Sequence, residues 1–125
     1  MRLLLDTHVL LWFAAEPAKL ASRARAAIEN PENTVLVSAV SAWEIAIKQS
    51  LGRLRLGADI GKLVSGTDFD PLSITMEHAV HVAELPPHHH DPFDRLLISQ
   101  AVVEGLTLVT RDRKFTAYPV ALLPA

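Results

Sequence analysis

The chain has 125 residues, of which half are hydrophobic and 21% are charged; this composition excludes a disordered polar chain and favours one folded domain. Its fourteen acidic and twelve basic residues give a net charge of −2, so no overall positive field would gather nucleic acid. Cysteine is absent, which excludes disulfides, cysteine-based zinc sites and a cysteine nucleophile.

Strand and helix patterns alternate along the whole chain. Short apolar runs predict strands at residues 3–5, 34–37, 70–74 and 106–109, with a fifth at 120–122. Helical spacing of apolar residues predicts helices at 8–15, 19–30, 41–51, 58–65, 75–85 and 91–104. This alternation predicts an α/β fold in a single domain over residues 1–125. The architecture expected is a three-layer α/β/α sandwich with a central parallel sheet of four to five strands.

The apolar start of the chain does not have the pattern of a membrane or export signal. Asp6 and His8 interrupt the run where a signal peptide needs a continuous apolar core, and the stretch is too short to span a bilayer. The sequence therefore favours a cytoplasmic protein with no membrane partner.

Two predicted helices begin with capping signals. Ser41 and Glu44 have the pattern of a capping box, with the serine as N-cap and the glutamate at the third helical position. Asp91 has the pattern of an aspartate N-cap, followed by Pro92 at the first helical position and Asp94 at the third. Capping is therefore the ordinary structural explanation for Glu44 and Asp94, against which a functional one is weighed.

Four carboxylates nevertheless fall at one edge of the predicted sheet. They are Asp6 at the end of the first strand, Glu44 and Asp94 in the first turns of their helices, and Asp112 just after the fourth strand. The carboxyl ends of parallel strands meet at one edge, and ligands bind at that edge in such folds. Because caps alone would not favour one edge, the joint placement favours a functional site.

A divalent metal ion is the partner that four converging carboxylates predict. Ionised carboxylates at close range raise each other's pKa, and Mg²⁺ or Mn²⁺ relieves that repulsion by taking oxygen ligands. Such an ion activates water for attack on phosphorus, and it also joins an acidic site to an anionic substrate. The sequence therefore predicts metal-dependent hydrolysis of phosphodiester bonds.

Five segments together resemble the PIN-domain ribonucleases and, among these, the VapC-type toxins of toxin–antitoxin pairs. They are residues 4–12, 38–48, 51–54, 90–98 and 108–112, in order over nearly the whole chain. The resemblance implies a PIN fold and toxic cleavage of RNA that depends on Mg²⁺, with Mn²⁺ as a substitute. It also implies a homodimer, and a cognate antitoxin that blocks the site in a heterotetramer or larger complex.

The same resemblance implies roles for individual residues. Asp6 and Asp94 match the principal metal ligands of the family, and Glu44 matches a ligand that acts directly or through water. Asp112 matches the fourth acid, and Thr110 matches the hydroxyl residue that supports the acidic pocket. At none of these positions does the sequence depart from the family pattern.

Basic and histidine side chains carry weaker signals. Arg95 and Arg111 lie near the predicted edge and are candidates for contacts with substrate phosphates, which position a substrate without reading its sequence. The histidine run at 88–90 is additional to the family pattern, and contiguous side chains do not easily converge on one ion. We expect this run, together with His78 and His81, to lie mostly in loops or in solvent.

Other functional classes compete with a nuclease. A phosphatase with an aspartyl nucleophile needs a second aspartate two residues after Asp6, and the chain has His8 there. A non-catalytic RNA-binding or regulatory module on a PIN-like fold stays open, although degenerate members of the family lose acids and all four are present here.

Overall fold

Five parallel strands form the centre of the computed structural model, which describes residues 1–54 and 60–125. They are β1 (Arg2–Leu5), β2 (Thr34–Ser38), β3 (Asp70–Leu72), β4 (Thr107–Thr110) and β5 (Ala121–Pro124). Their order across the sheet is β3-β2-β1-β4-β5, and every neighbouring pair is parallel. The predicted parallel sheet is confirmed, and the fifth apolar run is one of its strands.

Helices connect the strands in the order that the sequence predicts. In the described chain they are α1 (Thr7–Ala15), α2 (Ser22–Glu29), α3 (Ala39–Ser50), α4 (Ile60–Ser65), α5 (Met76–His81) and α6 (Pro92–Glu104). Helix α2 begins later than predicted because Leu20 and Ala21 are extended after a short 3₁₀ turn. The helix predicted at 75–85 ends its α-helical part at His81 and continues as a 3₁₀ turn. The first residues of the helix predicted at 58–65 lie outside the described residues.

Both faces of the sheet are covered, as the lack of polar alternation in the strands predicts. On one face Leu3 and Leu5 pack with residues of α1 and α2, and on the other face Leu4 and Leu108 pack with residues of α6. This arrangement confirms the three-layer α/β/α sandwich. None of the described helices is long and apolar enough to cross a membrane.

The N-cap of helix α3 lies three residues before the predicted one, so the predicted capping box at Ser41 and Glu44 is wrong. The N-cap is Ser38, whose hydroxyl accepts a hydrogen bond from the backbone N–H of Val40 at 2.9 Å. The same hydroxyl donates to Oε1 of Gln100 at 2.5 Å. The helix starts early because β2 runs directly into it, and Glu44 is therefore not a capping residue.

Ser38→Ala is expected to lower the free energy of unfolding by about 1–2 kcal/mol. The change removes the N-cap of α3 and leaves a buried amide oxygen of Gln100 without its donor. Urea unfolding of the metal-free protein measures the effect. The control is Ser50→Ala at the exposed end of the same helix, for which we expect a change below about 0.5 kcal/mol. Equal losses in both variants would contradict the assignment of the cap.

The strand order places a crevice between β1 and β4. From β1 the order continues to β2 and β3 on one side, and β4 and β5 lie on the other side. In open parallel sheets, ligands bind outside the carboxyl ends of the strands at the point where the strand order reverses. Asp6 directly follows β1 and Thr110 ends β4, so both lie at this point.

Candidate metal centre

A cavity of about 300 Å³ opens at the carboxyl ends of β1 and β4. Its lining is formed by Asp6, His8, Trp12, Asp94, Arg111 and Asp112. Three of the four predicted acids therefore meet in one cavity, although most of the chain separates Asp6 from the other two. One acid comes from the end of β1, one from the start of α6, and one from the segment after β4.

Asp6 is buried at the base of the cavity. Its backbone N–H donates to the carbonyl of Val109 at 3.0 Å, which ties the end of β1 to β4. Its Oδ2 accepts a hydrogen bond from the hydroxyl of Thr110 at 2.8 Å. Burial raises the pKa of Asp6, and the hydrogen bond from Thr110 opposes that rise. The charge of Asp6 is thus stabilised by its neighbours only in part, because the effect of burial is larger.

Asp94, in the first turn of α6, is a second carboxylate whose pKa is raised. Asp91 is the N-cap, as predicted, and its Oδ1 accepts from the backbone N–H groups of Phe93 at 2.8 Å and Asp94 at 3.2 Å. Burial raises the pKa of Asp94 to about 6, with further contributions from the charges of Asp6 and Asp91. A cation in the cavity would relieve this repulsion.

Asp112 is the N-cap of the 3₁₀ turn that follows it, and it also lines the cavity. One carboxylate oxygen accepts a hydrogen bond from the backbone N–H of Lys114 at 2.9 Å. The backbone N–H of Asp112 donates to the Thr110 hydroxyl at 3.1 Å. Because that hydroxyl also donates to Asp6, Thr110 links the two acids, as expected of a residue that supports the acidic pocket.

Glu44 lies beside the cavity but is held by its own partners. Its Oε1 accepts a hydrogen bond from the Thr7 hydroxyl at 2.8 Å, and its Oε2 lies 2.7 Å from Nζ of Lys48. Glu44 is close enough to Asp6 for its charge to raise the pKa of Asp6. Of the four predicted acids, it is the one whose two carboxylate oxygens are both engaged by neighbouring side chains. Lys48 stands four residues after Glu44, a spacing from which this pair could have been predicted.

His89 is the residue that the sequence interpretation missed. Its Nε2 lies 2.6 Å from Oδ2 of Asp94 and 4.0 Å from Oδ2 of Asp112, and only 12% of its side chain is exposed. The expectation that the histidine run lies mostly in solvent is therefore wrong for His89, although His88 and His90 are exposed. No sequence signal separates the three, because the conformation of the segment before α6 decides which ring reaches Asp94 and Asp112.

Arg95 does not line the cavity. Its guanidinium donates to the carbonyl oxygens of Val82 at 3.0 Å and Pro86 at 2.9 Å, so it ties down the segment that precedes α6. We therefore give Arg95 a structural role instead of the predicted contact with substrate phosphate. The planar fork of arginine suits such a set of backbone acceptors.

Arg111 stands at the rim of the cavity, as its sequence position predicts. Its guanidinium carbon lies 4.4 Å from the centroid of the Trp12 ring, and its Nε donates to the carbonyl of Ala125 at 2.8 Å. A further nitrogen of the same group donates to the carbonyl of Lys19. These contacts hold a positive charge at the rim, where the exposed ring of His8 also lies against Trp12.

The donors in the cavity fit a divalent metal ion. Among the described residues, ligand atoms of His89, Asp94 and Asp112 all lie within 4.8 Å of one another. Carboxylate oxygens and an imidazole nitrogen are ordinary ligands of divalent ions. Asp6 adds a third carboxylate to the lining of the same cavity.

The PIN-domain family model matches residues 3–121. The chain belongs to the PIN-domain family. A relative of this PIN domain is the ribonuclease VapC22 of Mycobacterium tuberculosis, 32% identical over 118 residues that cover 92% of this chain and 90% of the relative.

Solved structures share the fold of this PIN domain. VapBC of Salmonella typhimurium bound to DNA matches with a TM-score of 0.74 and 19% identity, over 99% of this chain and 98% of that one. VapBC2 of Rickettsia felis bound to a promoter fragment matches with a TM-score of 0.72 and 16% identity, again over 99% and 98%. At these identities the structures support the fold alone.

The metal-free PIN domain is expected to lose stability between about pH 4 and pH 6 through Asp94. The pKa of Asp94 in the folded chain is about 6, above the value of 3.8 for an unperturbed aspartate. Between these values the folded state holds more protons than the unfolded state, so stability falls as the pH rises. The loss is roughly 2–3 kcal/mol, complete above pH 6 to 7.

Urea unfolding in the presence of a chelator measures this pH dependence. At each pH, the free energy of unfolding of Asp94→Asn is subtracted from that of the wild type. The difference cancels the ordinary titration of the other carboxylates. A difference that does not change between about pH 4 and pH 7 would show that Asp94 ionises normally.

Proposed function

We propose that this chain is a metal-dependent endoribonuclease and the toxin of a toxin–antitoxin pair. The observation that carries the proposal is the cavity at the reversal of strand order, where Asp6, Asp94 and Asp112 converge. The relative named as a ribonuclease supports the reaction, because its similarity extends over nearly the whole of both chains.

The residues in and beside the cavity would have different roles in phosphodiester hydrolysis. Asp94 and Asp112 would hold the divalent ion, with Asp6 as the buried third carboxylate. A bound Mg²⁺ or Mn²⁺ supplies charge that stabilises the transition state and lowers the pKa of a coordinated water. Thr110 keeps Asp6 and Asp112 in register through the two hydrogen bonds of its hydroxyl. Glu44, engaged by Thr7 and Lys48, would act through water at the side of Asp6.

The RNA backbone would be held by local positive charge at the rim. Arg111 is fixed there by the Trp12 ring, and Arg113 and Lys114 are exposed on the following turn. Because the chain carries a net charge of −2, we expect this grip to be modest and to depend on the metal ion. Such contacts position RNA without reading its sequence.

An antitoxin is the second proposed partner. The solved neighbours from Salmonella typhimurium and Rickettsia felis are VapBC pairs bound to DNA. By this likeness we propose that a cognate antitoxin covers the cavity, in a heterotetramer or larger complex built on a homodimer of this chain. We also propose that residues 1–125 form a single PIN domain and that it acts on RNA in the cytoplasm.

The test is cleavage of mixed cellular RNA by the purified chain without antitoxin. We expect internal cleavage with Mg²⁺ or Mn²⁺ and none with EDTA, and recovery when excess Mg²⁺ is added back. Cleavage that persists in EDTA would overturn the metal-dependent mechanism. RNA that is bound but never cleaved with either ion would favour the non-catalytic module.

A further inference from the structure

His89 places a nitrogen donor beside two of the carboxylates that line the cavity, Asp94 and Asp112. We propose that His89 is a direct ligand of the metal ion, together with Asp94 and Asp112, and that the centre therefore prefers a transition-metal dication such as Mn²⁺ to Mg²⁺. The proposal rests on the proposed function, since it concerns the same cavity, but it assigns a ligand and a preference that oxygen donors alone would not provide.

The distances around His89 suit a shared ion. Its Nε2 lies 2.6 Å from Oδ2 of Asp94 and 4.0 Å from Oδ2 of Asp112. Adjacent ligands of one ion, each at about 2.0–2.2 Å from it, are separated by about 3 Å, and the two observed distances lie on either side of that value. A metal ion binds only an unprotonated ring nitrogen, so any proton shared between Nε2 and Asp94 would pass to solvent when the ion binds.

The ring of His89 is held in place by the surrounding fold. The backbone N–H of His89 donates to the hydroxyl of Tyr118 at 2.8 Å, and the imidazole centroid lies 6.0 Å from that of Phe115. Arg95 donates to the carbonyls of Val82 and Pro86, which fixes the segment leading to His89. A ligand prepared in this way binds a metal ion with little loss of conformational freedom.

An imidazole ligand changes which ion is preferred. Mg²⁺ strongly favours oxygen donors and keeps several water molecules, whereas imidazole nitrogen suits first-row transition metals. Replacing one oxygen ligand by the nitrogen of His89 therefore strengthens the binding of Mn²⁺ relative to Mg²⁺.

Pulsed electron paramagnetic resonance of the metal-stripped chain loaded with Mn²⁺ tests the assignment directly. We expect the spectrum of the wild type to show coupling of the ion to an imidazole nitrogen, and the coupling to disappear in His89→Gln. Titration calorimetry with Mn²⁺ and with Mg²⁺ measures the preference. Loss of even an outer partner of a metal ligand lowers affinity about 10–100-fold, so we expect Mn²⁺ affinity to fall at least about tenfold in His89→Gln. The affinity for Mg²⁺ should change less than about threefold.

His90→Gln is the matched control, because this neighbour in the same run is exposed. It should keep both the nitrogen coupling and the wild-type affinity for Mn²⁺. A wild-type spectrum without nitrogen coupling, or equal loss of Mn²⁺ and Mg²⁺ affinity in His89→Gln, would overturn the inference. Metal-dependent RNA cleavage by a chain without nitrogen coupling would overturn it and leave the proposed function in place. If the wild type bound neither ion, both proposals would be overturned.

Discussion

Asp94→Asn is expected to lower RNA cleavage by roughly a thousandfold, equivalent to about 4 kcal/mol, while making the metal-free protein more stable. The activity falls because an amide oxygen is a poor substitute for a carboxylate that holds a divalent ion. The stability rises because the carboxylate of Asp94 is partly buried and lies near the charges of Asp6 and Asp91, which together raise its pKa to about 6. Asparagine removes that charge and can still accept a hydrogen bond from His89.

Cleavage rates with saturating Mn²⁺, and thermal unfolding in a chelator at pH 7.5, measure the two effects. We expect a gain of about 1–3 kcal/mol in the free energy of unfolding, or roughly 3–10 °C in Tm. Asp91→Asn is the control for cleavage, because asparagine caps a helix as well as aspartate does and Asp91 does not line the cavity. Near-normal cleavage by Asp94→Asn would contradict its role as a metal ligand, and lower metal-free stability would contradict the raised pKa.

His78→Ala is expected to lower the free energy of unfolding by about 3–4 kcal/mol without involving the cavity. The His78 side chain is completely buried. Its Nδ1 accepts from the backbone N–H of Thr75 at 3.0 Å and closes the capping box of α5, and its Nε2 lies 2.8 Å from Oε1 of Glu104 at the end of α6. Alanine would leave a void, open the capping box of α5 and remove the hydrogen bond between α5 and α6.

His81→Ala is the control for this prediction, because both histidines lie on α5. His81 pairs with Glu84, whose side chain is 73% exposed, so its loss should change stability by less than about 1 kcal/mol. Urea unfolding compares the two variants. Similar small losses in both would contradict the structural role of His78, which is buried on α5 and not in a loop or in solvent as its sequence position led us to expect.

The convergence of Asp6 and Asp112 at one edge of the sheet could be predicted, because it follows from the parallel order of the strands. Apolar runs without polar alternation indicate strands covered on both faces, and parallel strands bring their carboxyl ends to one edge. Asp6 and Asp112 therefore meet although β1 and β4 are separated by most of the chain. The cap at Asp91 was also visible, since capping depends on residues within one turn of helix.

Features that depend on contacts between distant segments were not predictable in this way. The hydroxyl of Ser38 finds Gln100, 62 residues later, and α3 starts there and not at Ser41. Arg95 is positioned by backbone carbonyls of the preceding segment, which no spacing of residue types reveals. His78 and His89 resemble the other histidines in sequence, yet His78 is in the core and His89 contacts Asp94, one of the acids of the cavity.

By itself the sequence determined the parallel sheet, its helical layers and the edge at which the acids gather. These properties depend on the spacing of apolar residues along each element and on the direction of the strands, and both can be read from the order of the residues. The tertiary structure alone decided that Glu44 accepts a hydrogen bond from Thr7, that Thr110 links Asp6 to Asp112, and that His89 contacts Asp94. The reason is that a hydrogen bond or a metal ligand needs atoms placed to within a few tenths of an ångström, and packing sets such positions.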